Sequence, residues 1–418
     1  MIENNNKPVA IVLGGTNPHK KLLEKLKNRG FFAVLIDYLA NPPAKLTADL
    51  HVQESTLDKD KVLDIAQKLN AQLVIATCVD QANVTACYVA EKMNLPRPYS
   101  YEVACEISDK VKMKLRMKKA NIPTAAYIQT SSAEGLNVDS LHFPLVVKPS
   151  DSNGSKGVRR VDNNQELNAY LQEALAISRN GMAVVEEFIE GDEIGVDCFI
   201  VNGKAHIVTM HKKRKPSIKD GTVIYSIGSI SPPNISATAK NLIVEIADKI
   251  AVEFELQNTP LLMQLIVSDD KVNVVEFAPR IGGGLNFRKI KLFADFDILE
   301  ASIDSYYNKV VEIPKNNIDF LYSENHIYVE AGTFGRIEGI ADLVKDGTIL
   351  EFYQNKTQGA PIFSGNASKD RVGSFIVRAR DINEVKNKIR RVFDTIKIYN
   401  IDDKPMKYSY DYIDLLLD

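Results

Sequence analysis

The constraint that most limits how this chain can fold is an alternation of apolar runs and helical stripes over its first hundred residues. Pro8 to Leu13 is a short apolar run of the kind that forms a buried strand. Asn17-Pro18 reads as a helix start, with Asn at the cap and Pro at the first helical position. Leu22, Leu23 and Leu26 then share one helical face, and Gly30 stops the helix. Phe31 to Ile36 predicts a second strand, Val62, Ala66 and Leu69 a second helix, Leu73 to Ala76 a third strand and Asn83 to Met93 a third helix. Strands joined by helices demand a parallel sheet with right-handed crossovers, whose ligands sit beyond the carboxyl ends of the strands.

The pattern changes after Pro123. From Phe143 to Ser231 it reads as antiparallel hairpins around one helix near Asn164 to Ser178, with Asn202-Gly203 as a two-residue hairpin turn. A long helix follows over about Ser236 to Glu255. Leu261–Val267 and Lys271–Phe277 pair around Ser268-Asp269-Asp270. The last hundred residues mix short strands, His326–Glu330 and Ser374–Arg380 among them, with a helix near Ile382–Phe393. A chain of 418 residues exceeds one ordinary core, so two to four domains are expected.

Composition narrows the function classes. With 52 Lys+Arg against 54 Asp+Glu the net charge is −2, which argues against a dedicated nucleic-acid binder but leaves room for a local anion site. The 4 cysteines, Cys78, Cys87, Cys105 and Cys198, have neither CxxC spacing nor a His-rich neighbour, so buried reduced thiols are expected. The N-terminus lacks the pattern of a signal peptide, and no stretch is long and apolar enough to span a membrane, so the expected compartment is the cytoplasm.

Three stretches carry chemistry. In Pro144-Leu-Val-Val-Lys148-Pro-Ser-Asp-Ser-Asn-Gly154-Ser155-Lys156-Gly157, an apolar strand delivers Lys148 into a Gly/Ser loop. Small residues let backbone N–H groups wrap phosphate oxygens, and lysines add point charge. The loop is not GxxxxGK[ST] and precedes a strand, so it is not a P-loop; alone, it reads more simply as a hairpin turn with a solvated lysine. In Val184-Val185-Glu186-Glu187-Phe188-Ile189-Glu190-Gly191-Asp192-Glu193, backbone groups at a strand edge suit an adenine and carboxylates suit ribose hydroxyls. Alone, this stretch reads as an acidic strand end. The third runs from Leu262 through Gln264, Glu276, Ala278 and Arg280 to Gly282-Gly283-Gly284, Asn286 and Arg288. A strand-end carboxylate is a hard ligand for Mg2+, Arg280 can fork onto a phosphate or carboxylate, and three glycines leave room for a substrate. Here function explains the sequence better than structure does.

These stretches, in this order, resemble the ATP-grasp superfamily, of the carboxylate–amine ligase type that includes carbamoyl-phosphate synthases and L-amino-acid ligases. Asp109-Lys110 before a helix, with Asn121-Ile122-Pro123-Thr124 after it, resembles the family's entry to the ATP domain, with Asn121 in place of Gly. Tyr328-Val329-Glu330 and Gly332 to Ile340 resemble its closing subdomain. The resemblance implies an α/β and α+β multidomain chain: an N-terminal Rossmann-like parallel-sheet domain over 1–108, an ATP-grasp domain over 109–310 with a mobile lid over about 123–188, and a C-terminal α+β subdomain over 311–418.

It also implies roles. Lys110 and Lys148 would bind ATP phosphates under the flap containing Ser155, Lys156 and Gly157. Glu186, Glu187, Phe188 and Ile189 would hold the adenine edge, and Glu193 the ribose. Glu276, with Gln264 in the place of an acidic ligand, would hold Mg2+, for which Mn2+ can substitute. Arg280 would stabilise the reacting phosphoryl group, with Arg280, Lys148 and Glu276 the catalytic set. Arg280, Gly283, Gly284, Asn286, Arg288 and Gly15 would meet substrate. Ala278 replaces a usual Asn. The implied reaction joins a small-molecule carboxylate to an amine through an acyl phosphate, without nucleic-acid or membrane partners, and a homodimer is compatible with the family. Biotin-carboxylase-like carboxylation, phosphoribosylamine–glycine ligation and a non-catalytic ATP-binding sensor are the alternatives, the last prompted by Gln264 and Ala278. The run His211-Lys212-Lys213-Arg214-Lys215 reads equally as a solvated loop or an anion clamp.

Overall fold

The computed structural model describes residues 6–152, 156–215, 226–314, 319–363 and 370–410. Contacts divide the chain into two units: Met1–Thr124 with Val196–Thr209 and Ser236–Asn316, and Ala125–Gly195 with Met210–Ile235 and Asn317–Asp418.

In the first unit, parallel strands lie in the order Leu50–Gln53, Phe32–Asp37, Val9–Leu13, Ala71–Ala76. Alternation sorts their side chains onto two apolar faces, which is why the strands read as continuous apolar runs. Ile11, Leu13, Val34, Ile36 and Val74 pack with Val62, Ala66 and Ala86 of helices Lys59–Lys68 and Asp80–Lys92. Ala10, Val12, Leu35 and Ile75 pack with Leu22, Leu23 and Leu26 of helix Asn17–Asn28 and with Ile303 of helix Ile298–Tyr306. Two local expectations shift. Leu50–Gln53 is an additional strand, a four-residue edge of mixed polarity without a clear pattern. The helix cap is Thr16 rather than Asn17. His19 explains this: its Nδ1 accepts from the Thr16 N–H (3.2 Å), and its Nε2 reaches the Thr77 carbonyl (2.9 Å).

The sheet order places the topological switch between Val9–Leu13 and Ala71–Ala76. The loops leaving those strands are Gly14-Gly15-Thr16 and Thr77-Cys78-Val79-Asp80. The same unit holds the hairpin of Thr259–Ser268 and Lys271–Ala278 and the helix Ala237–Glu253, capped by Ser236. Helix Lys110–Lys119 is capped by Asp109, whose Oδ1 accepts from Val111 N–H at 2.9 Å. It ends at Asn121 with φ 53°, a left-handed position that Asn tolerates nearly as well as Gly, so the departure from the family's Gly keeps the turn.

In the second unit, antiparallel strands run Tyr127–Thr130, Ala183–Glu187, Leu145–Pro149, Arg159–Val161. Helix Asn164–Ile177 covers them with Leu167, Leu171 and Ala174. A further antiparallel set runs Gly228–Ser231, Leu321–Ile327, Gly373–Ala379, Glu351–Gln354. Helix Ile382–Thr395 covers it with Val385, Ile389, Val392 and Phe393. In the first unit, the hairpin turn at Asn202-Gly203 has φ values of 50° and 76°, the double positive of a type I′ turn.

Candidate functional site

In the first unit, Gln264 and Glu276 face each other across the hairpin, and the Gln264 amide donates to Glu276 Oε1 at 2.7 Å. Lys110, at the first position of its helix, brings Nζ to 3.7 Å from Glu276 Oε2. Two residues past the Lys271–Ala278 strand, Arg280 forks onto Asp80, with Nε to Oδ1 at 2.6 Å and Nη2 to Oδ2 at 2.8 Å, while Nη1 donates to the Ile281 carbonyl at 2.9 Å. Burial works against the Arg280 charge, but the attraction of Asp80, with a smaller part from Glu276, holds its pKa above the ordinary arginine value. For Asp80, burial favours protonation, and Arg280 followed by Lys110 more than offsets it, so this carboxyl stays below its usual range. Two cations and two carboxylates therefore interleave: Lys110 with Glu276, and Arg280 with Asp80.

Sequence reasoning had brought Lys110, Gln264, Glu276 and Arg280 together but missed Asp80. Its signal was available, as an acid just beyond the carboxyl end of a central strand, where α/β sheets bind ligands. The other substrate candidates are placed differently. Asn286 is buried and donates to Asp197, which also accepts from Thr209 Oγ1 at 2.9 Å. Gly283 faces open space within 4 Å of where a Cβ would stand, and Gly284 has φ 65°. Arg288 lies in the helix Asn286–Ala294. Gly15 has a packing reason to be glycine, since a Cβ there would stand 2.4 Å from the Pro42 ring.

The second unit holds the remaining candidates. Lys148 and Glu186, on adjacent antiparallel strands, form a buried ion pair. Glu187 accepts from the His142 N–H (2.9 Å) and meets its Nδ1 (2.8 Å), which lowers its pKa. Phe188 N–H donates to the Pro144 carbonyl at 2.9 Å, and the Arg160 guanidinium lies 4.7 Å from the Phe188 ring centre. Ile189, just beyond the Ala183–Glu187 strand, is half-buried. Ser155 lies outside the described residues. Lys156 is exposed, and its carbonyl accepts from Ser152 Oγ at 2.9 Å. Gly157 must be glycine on two counts: φ is 75°, and a Cβ would meet Ile177 and Pro149 at 2.8 Å.

Glu193 is held by Lys213 and by Lys215 at 2.7 Å. Burial would raise its pKa, but the two lysines depress it to about 2. The basic run is thus no solvated loop: residues 211–214 end the strand Lys204–Arg214. Lys212 pairs with Asp192 at 2.7 Å. Arg214 is buried, donates to the Glu324 carbonyl at 2.9 Å, and is brought down to about 10 by burial. Alternation along a strand, rather than a loop, puts these charges on defined partners.

Among the described residues no group of three or more His, Cys, Asp or Glu side chains gathers as a metal cage. Glu276 and Gln264 together offer hard oxygens, one anionic and one amide, which suit Mg2+ chemically.

Residues 141–288 match the ATP-grasp domain family, a span that contains every candidate from Lys148 to Arg288. The chain thus carries an ATP-grasp domain over these residues. It is 21% identical over 362 residues to the L-arginine-specific L-amino acid ligase of Bacillus subtilis, spanning 85% of this chain and 86% of that one. Its fold is similar to the L-amino acid ligase of Bacillus licheniformis (TM-score 0.77, 18% identity, 94% of this chain and 99% of that one). It is also similar to the phosphoribosylglycinamide synthetase of Anaerococcus prevotii (TM-score 0.71, 19% identity, 94% and 99%).

Proposed function

We propose that this chain uses ATP to join a small carboxylic acid, amino acids included, to an amine. A carboxylate oxygen attacks the γ-phosphorus, the bond to the β-phosphate oxygen breaks, and ADP leaves. The amine nitrogen then attacks the acyl carbon, phosphate leaves and the nitrogen gives up a proton. The observation that carries the reading is the interleaved set of Lys110, Glu276, Arg280 and Asp80 beside Gln264. Phosphoryl and acyl transfer need little covalent work from the protein, and positioned charge is the main requirement.

Lys110, Lys148 and Lys156, with Ser155 and the Gly157 backbone, bind the phosphates. The Glu186–Ile189 stretch holds the adenine and Glu193 the ribose. Glu276 and Gln264 would hold Mg2+, or Mn2+ in its place. When bound, that ion neutralises charge on phosphate oxygens. Arg280 offers donors to the oxygens of the phosphoryl group and acyl phosphate. Gly15, Gly283, Gly284, Asn286 and Arg288 shape the substrate side, Asn286 through its hold on Asp197. In this reading, 1–108, 109–310 with its lid over about 123–188, and 311–418 are the working domains. Acyl phosphates hydrolyse readily, so the lid serves to exclude water. No helix among the described residues is long and apolar enough to cross a membrane. We place the enzyme in the cytoplasm, acting on small molecules, as a monomer or homodimer.

The test is ADP release with Mg2+ across a panel of carboxylates and amines, with products identified by mass. A ligated amide supports the proposal, and ATP binding without product from any pair overturns it. Lys148→Ala should weaken nucleotide binding in calorimetry, and unchanged affinity removes Lys148 from the phosphate site.

A further inference from the structure

We infer that Asp80 is a positioning residue for the ligase reaction, one that fixes which edge of the Arg280 guanidinium faces the reacting phosphoryl group. The inference rests on the functional reading above and adds to it a residue outside the matched ATP-grasp span. A guanidinium has five N–H donors in a rigid plane. In Arg280, Nε and one hydrogen of Nη2 are committed to the two oxygens of Asp80, and one hydrogen of Nη1 to the Ile281 carbonyl. Among the described residues this leaves one donor on each Nη, and the two stand side by side where Ile281 takes the Nη1 hydrogen nearer Cδ. That pair is a second fork, suited to two oxygens of a phosphoryl group or a carboxylate.

The mount for Asp80 is itself constrained. The residue follows the central strand Ala71–Ala76 and opens the helix Asp80–Lys92, at the switch point of the sheet. Upstream, the buried His19 holds the Thr77 carbonyl at 2.9 Å, and Cys78 sits at φ 66°. Downstream, Asn83 Nδ2 donates to the Val79 carbonyl at 3.0 Å. The loop is thus pinned at Thr77 and Val79, just ahead of the residue that aims the arginine.

Two effects of removing the charge at Asp80 oppose each other, which makes the test sharp. If Asp80 only dampens the positive charge of Arg280, Asp80→Asn should tighten anion binding. If Asp80 aims Arg280, the same substitution should loosen it, because Asn offers one acceptor oxygen where the fork needs two. The probe is inorganic phosphate, titrated calorimetrically in the presence of MgADP. We expect Asp80→Asn to weaken phosphate binding about tenfold or more and to lower kcat by roughly ten- to a hundredfold with KM for ATP unchanged. Asp80→Glu, which keeps both oxygens, should recover part of each loss. Phosphate bound equally or more tightly by Asp80→Asn overturns the inference. So does a kcat per folded molecule equal to that of the unmodified chain. If the unmodified chain joins no carboxylate to an amine, the ligase reading fails, while the phosphate titration still decides the role of Asp80. Should Asp80→Asn not fold, Asp80→Ser takes its place: weaker phosphate binding supports the inference, and phosphate bound as tightly as in the unmodified chain overturns it.

Discussion

Glu276 in the first unit and Glu186 in the second are both carboxylates near the ends of antiparallel strands, and both lie inside the matched ATP-grasp span. They are held differently. The Glu276 side chain is 35% exposed and meets Lys110 only at 3.7 Å and an uncharged amide at 2.7 Å. The Glu186 side chain is 6% exposed and closes a tight pair with Lys148, itself 9% exposed. A loosely held, half-open carboxylate can exchange its partners for a cation or substrate at little cost. A buried pair cannot lose one member without leaving a charge stranded. The first arrangement suits chemistry and the second suits a fixed nucleotide seat.

Stability should therefore separate the two glutamates. Glu186→Ala strands the Lys148 ammonium and is expected to cost about 3–5 kcal/mol in chemical denaturation. Glu276→Ala, in a more solvated setting, is expected to change stability by about 1 kcal/mol or less. Equal losses at the two positions would break the contrast.

Turnover should reverse the order. Glu276→Gln and Arg280→Ala are each expected to lower kcat by at least roughly 10²–10³-fold, the scale for removing one preorganised charge-stabilising group, while circular dichroism shows the fold retained. Wild-type ADP release from either variant would remove that residue from the site.

Acid should also act on the two units separately. Burial lowers His19 in the first unit from 6.5 to about 4, against the raising effect of its bond to Thr77. A histidine depressed on folding contributes stability that is complete above pH 6.5 and is lost as pH falls toward 4, about 3 kcal/mol in all. Glu193 in the second unit, depressed from 4.5 to about 2, keeps its contribution until pH falls below 4.5. Hydrogen exchange between pH 7 and 4 should show protection falling first around the Val9–Leu13 and Ala71–Ala76 strands, and His19→Gln should flatten that dependence. Protection lost first around the second unit's Ala183–Glu187 strand would contradict it.

Much of this was legible in the sequence for physical reasons. The parallel sheet declares itself through apolar runs buried on both faces, and the Asn-Gly turn through its need for two positive φ values. The strand Leu50–Gln53 did not, because a short edge needs no strong pattern. Gln264 and Glu276 could be grouped in advance only through the family resemblance, because a β-bulge between Gln264 and Leu265 shifts the hairpin by one residue and brings Gln264 opposite Glu276. Asp80 and Arg280 could not, being 200 positions apart and joined only by folding. The basic run misled for a related reason: its partners, Asp192, Glu193 and Glu324, come from other strands, and charge density alone does not show where a charge is neutralised.

The smallest effect proposed concerns the family's missing acid. Gln264 already donates to Glu276 at 2.7 Å, so Gln264→Glu would set two carboxylates face to face. Without a divalent cation the like charges repel, and one carboxyl is pushed toward protonation. With Mg2+, both oxygens become ligands and the repulsion turns into affinity. The variant should therefore unfold at a lower temperature than the unmodified chain in EDTA and gain more from added Mg2+. In turnover, its half-saturating Mg2+ concentration should fall by a few-fold. This measurement needs only the metal, so it addresses the hairpin without knowing the substrates. If Mg2+ shifts the melting temperatures of the variant and the unmodified chain alike, Gln264 is only a hydrogen-bond partner that steadies Glu276, and the cation is held by Glu276 and the phosphates.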